Sequence, residues 1–357
     1  MKAPRTSSRK QEHVELTLAR DVSFRRKTSG FERFEFQHNA LPELNFSEVN
    51  PSTTFLGKRV SLPLLISSMT GGYEDATRIN RSLAEVCAEK KLGMGVGSQR
   101  QAMEEKTFHR SFSVVREAAP DIPIFGNIGG AEVAKLKNVS NIKRLVDLIR
   151  ADGFAVHLNP LQELLQPEGN PEFKGVLNGI EMLVKELPIP VIVKEIGAGI
   201  SMSVAKRLLA VGVKIIDVAG AGGTSWAGVE ILRRGRRNGK SKHQRSDSEW
   251  LAETFWDWGI PTVDALRQVC SLKTDNPDLM VLSSGGISNG LHVAKSIAFG
   301  ADLVGAARPM LKALEEGGTK SLLAKIAVWE TELKGAMFLT GSRSLSDLRK
   351  QVLVLKQ

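Results

Sequence analysis

The apolar run from Gly153 to Val156 leads straight into His157, Asn159, Gln162 and Glu163. A short apolar run of this kind reads as a buried strand. Its C-terminal mouth then carries an imidazole, two amides and a carboxylate. Polar groups are costly to bury without partners, so a cluster of them at one strand end points to a ligand that receives them. His157 alone would pass for a satisfied strand-end histidine; beside Asn159, Gln162 and Glu163 it reads as part of a site.

Three further groups have chemistry to offer. Lys194 lies inside the apolar segment Pro190–Ile196. An unpaired ammonium is costly there, so it points at a counter-ion or into a site. A structural salt bridge, a contact that stabilises a reduced, anionic flavin ring, and a Schiff base are the three uses open to it. Near the N-terminus, Arg9 and His13 share one face of a helix at i,i+4 spacing, with Lys10 beside them. Three cations placed so would suit an anionic ligand. An exposed basic tail is the plainer alternative. Finally, Gly285 and Gly286, then Gly305, Ala306 and Ala307, remove side chains at two strand ends. Backbone N–H groups could approach an anion there, although glycine also serves tight turns.

These groups need elements to place them. Eight apolar segments recur: 63–69, 92–98, 123–129, 154–159, 190–196, 214–220, 279–285 and 301–307. They are continuous rather than alternating, as in parallel strands covered on both faces. Amphipathic stretches fill intervals between them. Asp75–Lys91 sets Ile79, Leu83, Val86 and Cys87 on one face, and Asn141–Arg150 sets Ile142, Leu145, Val146 and Ile149. Ser203–Ala210 and Leu291–Phe299 repeat the theme, with Gly212 and Gly300 after them as helix stops. Eight strand–helix units close most simply into an α/β (β/α)8 TIM-type barrel, with a doubly wound sheet as the alternative. In a barrel the strand ends share one face, where such sites lie. Residues 1–62 read as an N-terminal arm and a cap under the barrel, with strands around Phe31–Phe36. Residues 63–318 read as the barrel, and 319–357 as C-terminal helices. Ser344 and Asp347 fit a capping box on the last of these.

The chain has 357 residues, 42% hydrophobic and 25% charged, which suits a globular enzyme with a sizeable core. Its two cysteines, Cys87 and Cys270, form no CxxC pattern, which points to a reducing, cytoplasmic setting. The first residues lack the apolar core of a secretory signal, and no run is long enough to span a membrane. A net charge of +10 calls for nucleic acid or a phosphorylated small molecule. The basic stretch Arg233–Arg245 carries no interleaved aromatic residues, so it is expected to be a solvated loop rather than a nucleic-acid surface. The surrounding hydrophilic insertion, about 233–250, has the length of a lid over the mouth or of an unstructured loop.

The strand ends, taken in order, resemble those of the FMN-dependent type 2 isopentenyl-diphosphate delta-isomerases. The resemblance runs through Arg9–His13, Ser67–Gly72, Gly97–Arg100, His157–Glu163, Val193–Ile196, Ala221–Trp226, Trp258–Pro261 and Phe338–Gly341. It implies an enzyme that interconverts isopentenyl and dimethylallyl diphosphate with reduced FMN and Mg²⁺, the flavin being reduced by NADPH or another donor. It also implies a homotetramer or homo-octamer. Carried over by motif, Ser67, Ser68, Met69, Thr70, Ser98, Asn127, Lys194 and Thr224 would contact FMN. Gly285, Gly286, Ala306 and Ala307 would hold its phosphate. Arg9, Lys10, His13, Ser98, Gln99, Arg100, His157, Asn159 and Gln162 would contact substrate, and Glu163 the magnesium. Gln162 and His157 would be catalytic. A 1,3-proton shift across an unactivated alkene is beyond an amide or a side chain titrating near neutrality. The acid–base centre therefore falls to the flavin N5, with Gln162 orienting the alkene or the flavin edge.

Rival readings lack residues. An FMN-dependent 2-hydroxy-acid oxidase would need a catalytic His late in the barrel, but 279–290 has none and His292 falls in an expected helix. IMP dehydrogenase would need a cysteine after strand six, where Gly220–Trp226 has none. The same loop fails the GxGxxG pattern. A nucleic-acid-binding dead barrel would leave Lys194, Gln162 and Glu163 without a role.

Overall fold

The computed structural model describes residues 5–238 and 247–356. Its centre is a closed barrel of eight parallel strands: β1 (Leu64–Ile66), β2 (Gly93–Gly95), β3 (Ile124–Gly129), β4 (Gly153–Leu158), β5 (Val191–Glu195), β6 (Ile215–Asp217), β7 (Met280–Ser284) and β8 (Leu303–Ala306). Each of the eight apolar segments supplies one strand. β8 returns to pair with β1, Val304 opposite Leu64. Helices Ala76–Lys90, Ser140–Ile149, Met202–Ala210 and Gly290–Ala298 stand where the amphipathic spacing puts them. Their apolar faces and the outer faces of the strands make one large core.

Inside the barrel is a second, smaller cluster. Leu65, Phe125, Ala155, Ile192, Ile215, Leu282 and Leu303 fill the interior, and Phe55 closes it from below. Phe55 comes from a short antiparallel hairpin, Thr53–Phe55 with Lys58–Val60. Burying a side chain of this size contributes about 1.5–3 kcal/mol. The lower half of the barrel is therefore a solid plug, and any ligand must enter at the other end.

The structure corrects two expectations. Around Phe31–Phe36 only Phe34–Phe36 is a strand, paired antiparallel with Leu353–Leu355, while Phe31–Arg33 is a 3-10 turn. The helical stretch Arg308–Leu339 is broken by non-helical backbone at Gly317 and Gly318, so a separate helical segment follows from residue 319. The capping box of Ser344 and Asp347 is present. Most tellingly, Arg233 and Arg234 are not in a solvated loop. They lie on a helix, Trp226–Asn238, and Arg233 is 1% exposed. It can be buried because Glu12, Glu168 and Glu230 surround its guanidinium. The rest of the basic stretch, 239–246, lies outside the described residues.

Candidate active site

A cavity of about 370 Å³ opens at the C-terminal ends of the strands. Its floor and walls come from the residues that end β1, β5, β7 and β8, and its roof from the N-terminal helix Arg5–Ala19. Ser67, Ser68, Met69, Lys194, Thr224, Gly285, Gly286, Ala306 and Ala307 all border it. Lys10 and His13 reach it from above. Arg308 ties the roof helix down, donating to the carbonyls of Thr17 and Arg20 and to Ser23 Oγ.

The walls fit a phosphate-bearing, polar ligand. Ser67 Oγ and Ser68 Oγ are buried and have no protein partner. Gly285 and Gly286 adopt φ of +96° and +67°, and a Cβ on Gly285 would lie 2.1 Å from the carbonyl oxygen of Gly220. Glycine is thus required where β7 ends. The helix from Arg308 starts on the same wall, and helix starts present free N–H groups to anions. Such a set of donors, with Lys194 on the floor, could hold the phosphate and ring of FMN. Lys194 Nζ donates to the carbonyl of Glu195 at 2.6 Å and lies 3.8 Å from Asp217 Oδ2. It has a counter-ion and also borders the cavity.

Beside the cavity lies a second cluster. His157 Nδ1 is 2.9 Å from Asn127 Oδ1. Burial, then Lys194, Lys10 and Arg9, push its pKa down to about 3, so the ring is neutral near pH 7. Asn159 donates through Nδ2 to Gln162 Oε1 and to Glu163 Oε1, both at 2.9 Å. Asn170 N donates to Glu163 Oε2 at 2.7 Å. Asn159 Oδ1 is buried without a partner. An unpartnered amide oxygen beside a carboxylate is an oxygen-donor set that suits a hard cation such as Mg²⁺. Among the described residues no group of three or more His, Cys, Asp or Glu side chains is placed to hold a metal ion.

Thr70, Ser98, Gln99 and Arg100 do not border the cavity. Thr70 is behind its wall, bonded to Asn80. Ser98 offers its carbonyl to Lys10 at 2.5 Å. Gln99 is fully buried, its amide donating to Leu145 O at 3.1 Å and accepting from Asn127 N at 3.2 Å. Arg100 pairs with Glu104 and, at 2.9 Å, with Glu132. His13 Nε2 is 2.8 Å from Glu230 Oε1, with its ring edge-on to Trp226. Burial and Arg100 lower the Arg9 pKa, while Glu163 raises it, so Arg9 belongs electrostatically to the Glu163 cluster.

Glu132, Glu230 and Asp217 escaped the sequence reading. Glu132 lies just past β3, and an atom on Gly129 would touch both its carboxylate and His157 Nε2. Its place four residues beyond Ile128, in a helix of only Gly130–Val133, gave no periodic signal. Late in the barrel, His292 stacks on Phe31 with ring centroids 4.7 Å apart.

The chain matches the family model of the FMN-dependent dehydrogenases over residues 3–113 and 158–355. An isopentenyl-diphosphate delta-isomerase of Pelodictyon phaeoclathratiforme is 48% identical over 355 residues, covering 99% of this chain and 98% of its own length. That of Pseudescherichia vulneris is 45% identical, covering 98% and 97%. A solved flavocytochrome b2 variant with sulfite bound shares the fold, with a TM-score of 0.67, 17% identity and coverage of 97% of this chain and 83% of its own. With a barrel of the FMN-dependent dehydrogenase type and close, full-length kinship of this kind, the chain belongs to the isopentenyl-diphosphate delta-isomerase family.

Proposed function

We propose that this enzyme interconverts isopentenyl and dimethylallyl diphosphate by a 1,3-proton shift, with reduced FMN in the cavity and Mg²⁺ at Glu163. The observation that carries the reading is that Lys10 and Lys194 border one cavity from opposite sides. One amine lies on the roof with Arg9 beside it, suited to a diphosphate; the other lies on the floor, suited to a flavin ring. When bound, reduced FMN would supply the acid–base centre that the alkene needs and that an amide such as Gln162 does not offer.

The chain's own groups bind, orient and shield. Lys10 and Arg9 would meet the diphosphate, and Glu163 with Asn159 Oδ1 would hold Mg²⁺ near it, where the cation would supply charge neutralisation. His157, neutral and fixed through Asn127, offers its Nε2 edge to the substrate rather than a proton. Gln162, held by Asn159, orients the alkene against the flavin. The roof helix Arg5–Ala19 keeps bulk water from the reacting carbons. In this reading, residues 1–62 form the arm and cap, 63–318 the barrel and 319–357 the packing helices. The enzyme works in the cytoplasm as a homotetramer or homo-octamer, with NADPH as a fitting reductant. Among the described residues no helix is long and apolar enough to cross a membrane.

The test is an anaerobic NMR assay in heavy water with isopentenyl diphosphate, FMN, Mg²⁺ and a reductant. Deuterated dimethylallyl diphosphate is expected, and only with reduced flavin. Conversion with oxidised flavin, or none by an FMN-loaded protein, overturns the reading.

A further inference from the structure

Asp217 does not border the cavity, yet it lies against two residues that do. On β6 it stands in register with Lys194 of β5. Its Oδ2 is 3.8 Å from Lys194 Nζ, and its Oδ1 accepts from Ser284 Oγ of β7 at 2.6 Å. Oδ1 also accepts from the amide of Ala219 at 3.2 Å, a cavity residue with φ of +37°. Three neighbouring strands thus carry a lysine, a carboxylate and a hydroxyl in one row beneath the cavity. Just below that row the barrel interior is wholly apolar.

Stability alone is a poor account of this row. Asp217 is 3% and Lys194 7% exposed, and a buried ion pair is often no more stabilising than apolar residues of the same volume. Glu195, the next carboxylate, turns its Oε2 to the amides of Ile196, Gly197 and Ala198. Asp217 is the carboxylate left to face Lys194. In a poorly screened interior, a negative charge immediately behind a cation weakens the field that the cation projects forward.

We propose that Asp217 is a positioning residue, the counter-ion that offsets the charge of Lys194 and so limits how strongly the cavity favours a reduced, anionic flavin ring. The inference rests on the flavin reading above. Asp217 acts through Lys194 and Ser284, without touching the flavin.

The experiment is an anaerobic equilibrium titration of the full-length, FMN-bound protein against a reference dye. For Asp217→Asn, the ratio of affinities for reduced over oxidised FMN is expected to rise about tenfold, or about 30 mV in the two-electron potential. In a Lys194→Gln background the same substitution should change that ratio by less than about twofold. A potential that stays the same or falls in Asp217→Asn overturns the inference. Should that variant not fold, Ser284→Ala removes a donor from Asp217 Oδ1 and is expected to lower the potential. A wild-type value there overturns it equally. Wild-type protein that takes up no FMN overturns the flavin reading as well, which separates the two failures.

Discussion

Lys10 Nζ donates to the carbonyl oxygen of Ser98 at 2.5 Å, across 88 residues of chain. A second bond, to Gly71 O at 2.9 Å, fixes the amine at the edge of the cavity. Burial, and then Arg9, pull its pKa down to about 7. At pH 8 the free enzyme therefore holds Lys10 mostly neutral, and a bound diphosphate favours the charged form. Binding of inorganic pyrophosphate at pH 8 should take up as much as about one proton. Calorimetry in two buffers of different ionisation enthalpy reads this directly. Lys10→Met should abolish the uptake, whereas no uptake by the wild type would remove Lys10 from the anion site.

Glu163→Gln keeps the size of the side chain and deletes its charge. With only neutral amide oxygens left at positions 159 and 163, half-saturating Mg²⁺ should rise at least about tenfold. FMN content should not change, because Glu163 does not border the cavity. An unchanged magnesium requirement would place the metal elsewhere.

Gln162 Oε1 accepts from Asn159 Nδ2 at 2.9 Å, and in the proposed reading its amide orients the alkene. Gln162→Ala should keep FMN bound and lose about 100-fold in turnover, the scale of a misplaced reactant. Single-turnover rates with FMN-loaded enzyme check it. Near-normal rates would refute an orienting role.

His157 carries a sign that can be tested on stability. Its folded pKa, near 3, lies below that of an unfolded histidine. As pH falls from about 6.5 toward 3, the unfolded chain binds a proton that the folded chain refuses, and stability is lost. The contribution is fully present above the unfolded value. Urea unfolding at pH 7 and pH 5 should show a smaller drop for His157→Gln than for wild type. Equal drops would mean that the folded ring titrates normally.

How far the sequence reveals this molecule follows from which signals are local. The eight strands are legible because a strand buried on both faces is a continuous apolar run whatever its neighbours. The cluster from His157 to Glu163 is legible because one strand end and one short helix carry it. Asp217, Glu230 and Glu132 are not, since each acquires its role from a residue on another element: Lys194, His13 and Arg100. Gln99 errs the other way. It stands in a motif beside Arg100, yet its amide joins β3 to the Ser140–Ile149 helix. Spacing alone could not separate these two uses.

Arg233 is the sharpest case of charge misread from composition. Within a basic run it reads as solvated, but its guanidinium binds Glu12 at 2.8 Å, Glu168 at 2.6 Å and Glu230 at 2.8 Å. Glu230 in turn bonds His13, so one arginine fastens the roof helix to the barrel. Arg233→Met would remove the cation shared by Glu12, Glu168 and Glu230. Breaking such a network costs about 3–5 kcal/mol. Burial pushes the Glu230 carboxyl up while His13 and Arg233 pull it down, so losing Arg233 raises it, and the variant should recover part of its lost stability as pH falls from 7 to 5. Arg233→Lys should recover little, because a point charge cannot match the fork that spans three partners. Urea unfolding of all three proteins at both pH values decides the matter. A loss that is small or independent of pH would mean that the roof helix is held by its apolar contacts instead.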